Sequence, residues 1–275
     1  MSAGTVRRRG GMGRGRRAAR IALHAWCGLV FFFLVLPLVV VFPISFSSSA
    51  YLQFPPPGYS LRWYREFLAD PNWVDAAWRS VLIGSVTAVA ATILGTLLAI
   101  SLVRGTYPGR GTVEQLVMAP IALPSIVYSV AAYQLFSTLH LVGSWQGIAV
   151  AHTIHALPLV VVVVGASLRT IDVSTEMAAQ GLGASWFTAV RRITLPQIRP
   201  ALVSAAFIAF ISSFDELVIA MFLGGINLTL PKKMFDSILY EIDPTIAAVS
   251  VLQIALVVLV LVVIGRFGSG VRPTS

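Results

Sequence analysis

Two carboxylates stand in an otherwise uncharged stretch, "SFDELVIAMFL", with Asp215 and Glu216 flanked by apolar residues on both sides. A charge deep in a bilayer costs on the order of 2.5–3.5 kcal/mol, so it needs a partner or a water-filled path. Neighbours on a helix project about 100° apart, so the pair cannot face one way. One acid is free to line a path while the other pairs structurally or reaches an interface. Two carboxylates on a path would suit a cationic solute. His152 and His155 form a second constellation, H-x-x-H, with both rings on one helical face. A metal could use that pair, but a site needs further ligands, and no Cys, Asp or Glu lies in the flanking helical sequence. Interhelical hydrogen bonding or packing is the other use for them. No G-x-x-x-x-G-K-[ST] phosphate loop occurs, so no ATP site of that kind is present. The sequence reads as a conduit with no visible catalytic centre.

The elements that must position these groups follow from the charge distribution. Hydrophobic residues make up 57% of the 275 and charged residues 11%, with a mean hydropathy of +0.84. A soluble domain carries about 25% charged residues. No Asp, Glu, Lys or Arg occurs over 21–61, 80–103, 115–168 or 245–265. Uncharged runs of about 18 or more residues read as spans. The third gap has room for two, divided at "LHLVGSWQG" (139–147). The run 200–223 is apolar apart from the two acids. The expectation is an all-α integral membrane protein with six transmembrane helices at about 22–45, 79–103, 115–137, 147–168, 200–223 and 246–266. Pro120 and Pro124 predict a bent third helix facing the bundle interior, and Pro158 a similar break in the fourth.

Orientation follows from Lys and Arg. Seven arginines precede the first helix, two lie in the second loop, four in the fourth and two at the end, leaving five of the 20 basic residues on the other side. Both termini are therefore expected in the cytoplasm. Residues 1–20 form a basic tail, and 21–270 a single six-helix transmembrane domain with a cytoplasmic loop at 169–199. The net charge of +9 is explained by topology and anionic lipid, not by nucleic acid. The first apolar run exceeds a signal peptide's core and is expected to stay uncleaved. Cys27 lies within it, alone. The first outer loop has a proline run and then an amphipathic Trp- and Tyr-rich segment, suited to the membrane interface or to an outside partner. In the last outer loop, Gly224-Gly225 and Pro244 bound a short re-entrant or surface helix.

The fourth loop contains "EMAAQGLGASWFTAVRRITLP", residues 176–196. Asp172 or Ser174 can cap a helix with Glu176 in its first turn, ending near Gly181 or Gly183. Ser185 can cap a second helix from Trp186 to Ile193, ended by Pro196. Trp186, Val190 and Ile193 follow helical spacing and predict one apolar face beside Arg191 and Arg192. Such a knob must bury that face against a partner or lie flat on the bilayer.

This stretch resembles the loop signature of permease subunits in binding-protein-dependent ABC importers: E-A-A, three residues, Gly, nine residues, Ile-x-Leu-Pro. Met177-Ala178-Ala179 occupy the opening, Gly183 the glycine, and Ile193-Thr194-Leu195-Pro196 the close. Met177 stands where the family has Glu, with Glu176 one position earlier. "FPPPGYSLRWYREFLADPNW", "IAVAHTIHALP", "SFDELVIAMFL" and "EIDPTIAAVSVL" look like spermidine/putrescine-type permeases of that superfamily. The resemblance implies the type I importer permease fold in a bacterial inner membrane. It also implies an ATPase dimer docked on the loop, a second permease subunit and an external binding protein. ATP would be used by the partner, with no cofactor bound here. The polyamine path at Asp215 and Glu216 is a chemical inference. A self-sufficient secondary transporter or channel and, remotely, a metalloenzyme at the histidines stay as alternatives.

Overall fold

The structure, a computed structural model, describes residues 14–227, 229–240 and 243–268. The first 13 residues of the basic tail and residues 269–270 of the expected domain lie outside the described residues. Helix α1 is described over Arg14–Ser45, and its apolar span, Ala19–Ser45, lies close to the expected first crossing. Arg and Ala are good helix formers, so the helix extends out of the apolar run. The proline run after it stays non-helical, and α2, Arg62–Ala69, buries Trp63 and Phe67. The Asp70 carboxylate then caps α3, Pro71–Arg104, accepting from Asn72 N at 2.9 Å.

The third expected span is not one rod. It comprises α4, Arg110–Ala122, and α5, Ser125–Thr138, bent by 109° at Leu123-Pro124. Proline forces its predecessor out of the helical region, and Leu123 sits at ψ 140°. The predicted bend is thus a full break. Pro158 does the opposite of what the sequence predicts. Helix α6 runs unbroken through it from Trp145 to Thr170, with Pro158 buried on the side where α6 meets its neighbours. Prolines are tolerated in spans when neighbouring helices satisfy the backbone.

The loop that follows holds α7 (Val173–Gly181), α8 (Trp186–Ala189), a π-helical turn (Val190–Thr194) and α9 (Leu195–Gln197). The predicted stop at Pro196 falls instead at Ile198. A bend of 73° there leads into α10, Arg199–Phe214. The fifth expected span is interrupted at residues 215–217 and resumes as α11, Val218–Leu223. The outer-loop helix α12 spans Leu230–Tyr240, and α13, Thr245–Gly268, ends the described chain. Among the described residues four helices are long and apolar enough to cross a membrane, and up to six crossings result when each bent pair counts as one.

The centre of the molecule is α3, α6 and α10, which pack on one another more than any other elements. In lipid, helices gain by close van der Waals approach, which favours small residues. Helix α3 supplies Gly84, Ala88, Ala91, Gly95 and Ala99, all buried. A Cβ at Gly95 would sit 2.6 Å from Val160 Cγ1, so the α3 backbone lies directly on α6. Gly95→Val is expected to cost about 1–3 kcal/mol by overpacking, read as a lower midpoint of thermal unfolding in detergent. By contrast α1 is exposed over most of its length, and its main helical neighbour is α13.

Candidate functional site

Short polar residues build the loop. Asp172 Oδ1 accepts from Ser174 N at 2.9 Å and opens α7. That amide holds the Asp172 carboxyl below its usual range. Gly183, at φ +92°, reverses the chain after α7, a conformation that L side chains resist. Ser185 Oγ then accepts from Thr188 N at 3.2 Å and opens α8. The capping pattern is the one the sequence predicts.

Burial divides the loop residues. Met177 is 60% exposed, Leu182 91%, Trp186 51% and Phe187 66%. Ala178, Gly183 and Pro196 are also exposed, and Ala179, Ile193 and Leu195 half-buried. Glu176 and Val190 are buried. The predicted Trp186/Val190/Ile193 face therefore does not present itself as a unit. Trp186 and Val190 both line a cavity of about 850 Å³ between the loop, α3 and α10, and Val190 joins the core at its inner end. The segment dips toward the bundle as it proceeds, which carries Val190 in while leaving Trp186 at the rim.

Glu176 points inward too. Its Oε1 lies 3.2 Å from Arg104 Nε, at the end of α3, and accepts from Thr194 Oγ1 at 2.9 Å. Arg104 Nη2 donates to the carbonyls of Leu168 at 3.1 Å and Ile171 at 3.2 Å. One guanidinium thus joins α3, the end of α6 and α7. Sequence reasoning missed Arg104, Thr194, Leu182 and Phe187. Periodicity could have found the last two, whereas Arg104 gave no signal beyond a lone arginine ending a span.

Asp215 and Glu216 occupy the interruption between α10 and α11 and not the middle of a continuous helix. Glu216 Oε1 accepts from Ile219 N at 3.1 Å and so caps α11. Asp215 is exposed, with Oδ1 3.5 Å from Gln253 Nε2 on α13. The two acids diverge, as their adjacency requires. Buried behind them, His152 Nδ1 is 2.7 Å from Ser213 Oγ, which donates to Thr87 Oγ1 at 3.3 Å. This chain ties α6, α10 and α3 together. His155 stacks obliquely beside Tyr128 at 5.4 Å. Among the described residues no three His, Cys, Asp or Glu side chains cluster as a metal site would need.

The family described as "Binding-protein-dependent transport system inner membrane component" matches residues 91–271, the stretch that carries the loop, the histidines and the acidic pair. The chain belongs to that family. This permease is 36% identical over 233 residues to the putrescine transport system permease protein PotI of Escherichia coli (strain K12), with 82% of each chain covered. It is 31% identical over 242 residues to the spermidine/putrescine transport system permease protein PotC of Haemophilus influenzae, covering 86% of this permease and 93% of that one. The sulfate transport system permease protein CysT of Salmonella typhimurium is 30% identical over 174 residues, 59% of this permease and 63% of that chain. In fold the permease matches a bacterial ABC transporter involved in the import of the acidic polysaccharide alginate. The TM-score is 0.72 at 20% identity, over 94% of the permease and 99% of that chain. The MetNI methionine ABC transporter matches with a TM-score of 0.61 at 22% identity, over 72% and 95%. The permease has the type I ABC importer fold, and it is a permease subunit of an ABC importer.

Proposed function

We propose that the chain carries a polyamine such as spermidine or putrescine, or a related cation, through a bacterial inner membrane, driven by an ATPase that docks on the 176–196 loop. The termini and the loop face the cytoplasm, by the excess of Lys and Arg on that side. Residues 21–270 act as one permease domain beside a second, different permease subunit, with a binding protein delivering solute from outside. ATP is hydrolysed by the partner. The observation that carries this reading is the exposure of Met177, Leu182, Trp186 and Phe187 on a loop bonded into the bundle. Apolar side chains held out on a rigid knob are what a hydrophobic cleft in a partner would bury. The proposed docking residues are these four with Ala178, Ala179, Gly183 and Pro196; Ile193 and Leu195 stand behind them, and Glu176 and Val190 hold them from inside.

The polyamine class is supported by the putrescine and spermidine permeases among the relatives and by the acidic pair. An anionic solute such as sulfate would meet repulsion at Asp215. The test is cross-linking from Leu182→Cys, in a Cys27→Ser background, within the assembled importer. The cross-link is expected to land on the ATPase. A bond to lipid-facing neighbours alone, or transport by the purified chain without ATP, would remove the coupling reading. Excess unlabelled putrescine or spermidine is expected to compete for uptake, and sulfate is not.

Gly183 offers a separate check. A Cβ at this position would meet no atom within 4 Å, so the cost of a side chain is the left-handed backbone, about 1–2 kcal/mol. Gly183→Asp is expected to insert normally and lose uptake, because the strained turn and the new charge both fall on the docking knob. Normal uptake by that variant would contradict the role of the loop.

A further inference from the structure

Helix α7 buries a single residue, and that residue is an acid. Of the residues Val173–Gly181 only Glu176 is buried, while Val173 and Met177 are exposed. An element with no buried apolar side chain is not placed by hydrophobic packing. Its position is set by the polar contacts at Glu176, and these converge on Arg104, whose side chain is 11% exposed. The guanidinium donates along three directions, to Glu176 on α7 and to the Leu168 and Ile171 carbonyls at the end of α6. Glu176 accepts in turn from Thr194 in the π-helical turn. Such planar, multiply bonded pairs fix orientation. Buried ion pairs contribute little net stability but can specify one arrangement among several.

We propose that Arg104 is a positioning residue that locks α7 and the π-helical turn to the ends of α3 and α6, so that displacement of the loop is delivered to the bundle. This rests on the reading of the loop as the ATPase-docking element. Removing the clamp deletes none of the docking side chains and lets the loop move without the helices. Hydrolysis then runs while transport fails. Lysine cannot replace arginine fully, because one ammonium cannot hold Glu176 and both carbonyls in the same geometry. Exchanging the charges, Arg104→Glu with Glu176→Arg, cannot restore the clamp, because a carboxylate has no proton to donate to Leu168 O or Ile171 O.

The test uses the full importer in proteoliposomes, with solute uptake and ATP hydrolysis measured together. Arg104→Gln is expected to keep hydrolysis within about two-fold of the parent and to lower solute moved per ATP at least ten-fold. Arg104→Lys falls between, and the charge exchange stays as low as Arg104→Gln. A second measurement needs no ATPase: trypsin cleavage after the exposed Arg191 and Arg192 in vesicles holding the chain, expected to speed up at least ten-fold in Arg104→Gln. If Arg104→Gln fails to insert, the pair Arg104→Met with Glu176→Leu replaces the buried charges by apolar volume and is expected to fold but to remain uncoupled. Parental transport per ATP in either variant, or unchanged trypsin resistance in Arg104→Gln, overturns the proposal. Failure of the parent chain to engage any ATPase overturns the docking reading instead, and the trypsin rates still judge the clamp.

Discussion

Phe187→Asp and Leu182→Asp are each expected to insert and fold like the parent and to lower uptake about 100-fold or more. Both side chains are exposed in the chain alone, 66% and 91%, so a carboxylate there meets water, at Phe187 from the rim of the cavity beside α3. In the assembled importer the same positions would be enclosed by the ATPase. An unpaired charge enclosed at an interface costs several kcal/mol, and about 2.7 kcal/mol already amounts to 100-fold. Two measurements separate the effects: a size-exclusion profile of the chain in detergent, expected unchanged, and retention of the ATPase on the purified permease, expected to be lost. Retained ATPase with lost uptake would place the defect in the transport step and not in docking.

Asp215→Asn and Glu216→Ala are expected to fail in different ways. Asp215 is exposed at the interruption, and among the described residues its carboxylate bonds to Gln253 at 3.5 Å. Its amide variant should fold normally and raise the apparent KM for the cation about ten-fold, since on the proposed reading the change removes one favourable charge from the path. Glu216 caps α11 through Ile219 N. Its loss should lower thermal stability by about 1 kcal/mol, while Glu216→Gln, which keeps an acceptor oxygen, should restore most of that stability. Equal KM shifts in Asp215→Asn and Glu216→Gln, with no stability difference, would remove this division of labour.

How far the fold was legible depended on whether its cause was local. The helices and the loop's caps were readable, because Asp172, Gly183 and Ser185 act on residues within a few positions of themselves. Pro120 and Pro124 gave the location of the α4–α5 break but not its size. Pro158 gave the wrong answer, because the neighbours that keep α6 continuous are distant in sequence. The interruption at 215–217 carries no proline or glycine, and only the two carboxylates hint at it. The destination of Glu176 was invisible for a plainer reason. Its partner is 72 residues away, at the end of another helix. An acid in the first turn of a helix looks complete as a dipole partner, and nothing in its surroundings announces a guanidinium.

The pairing of α1 with α13 has a consequence for how the chain is made. Helix α1 meets its main helical neighbour only when α13 arrives, after residues 46–244 have been laid down. In water a helix exposing Phe31, Phe32 and Phe33 at 66–71% would aggregate during that interval. In a bilayer the acyl chains solvate it, and waiting costs nothing. Closure of this seam therefore waits for α13, and a nascent chain stalled before Thr245 is expected to hold α3, α6 and α10 together while α1, tied to α2 through Ser45 and Tyr64, still faces lipid where α13 will lie.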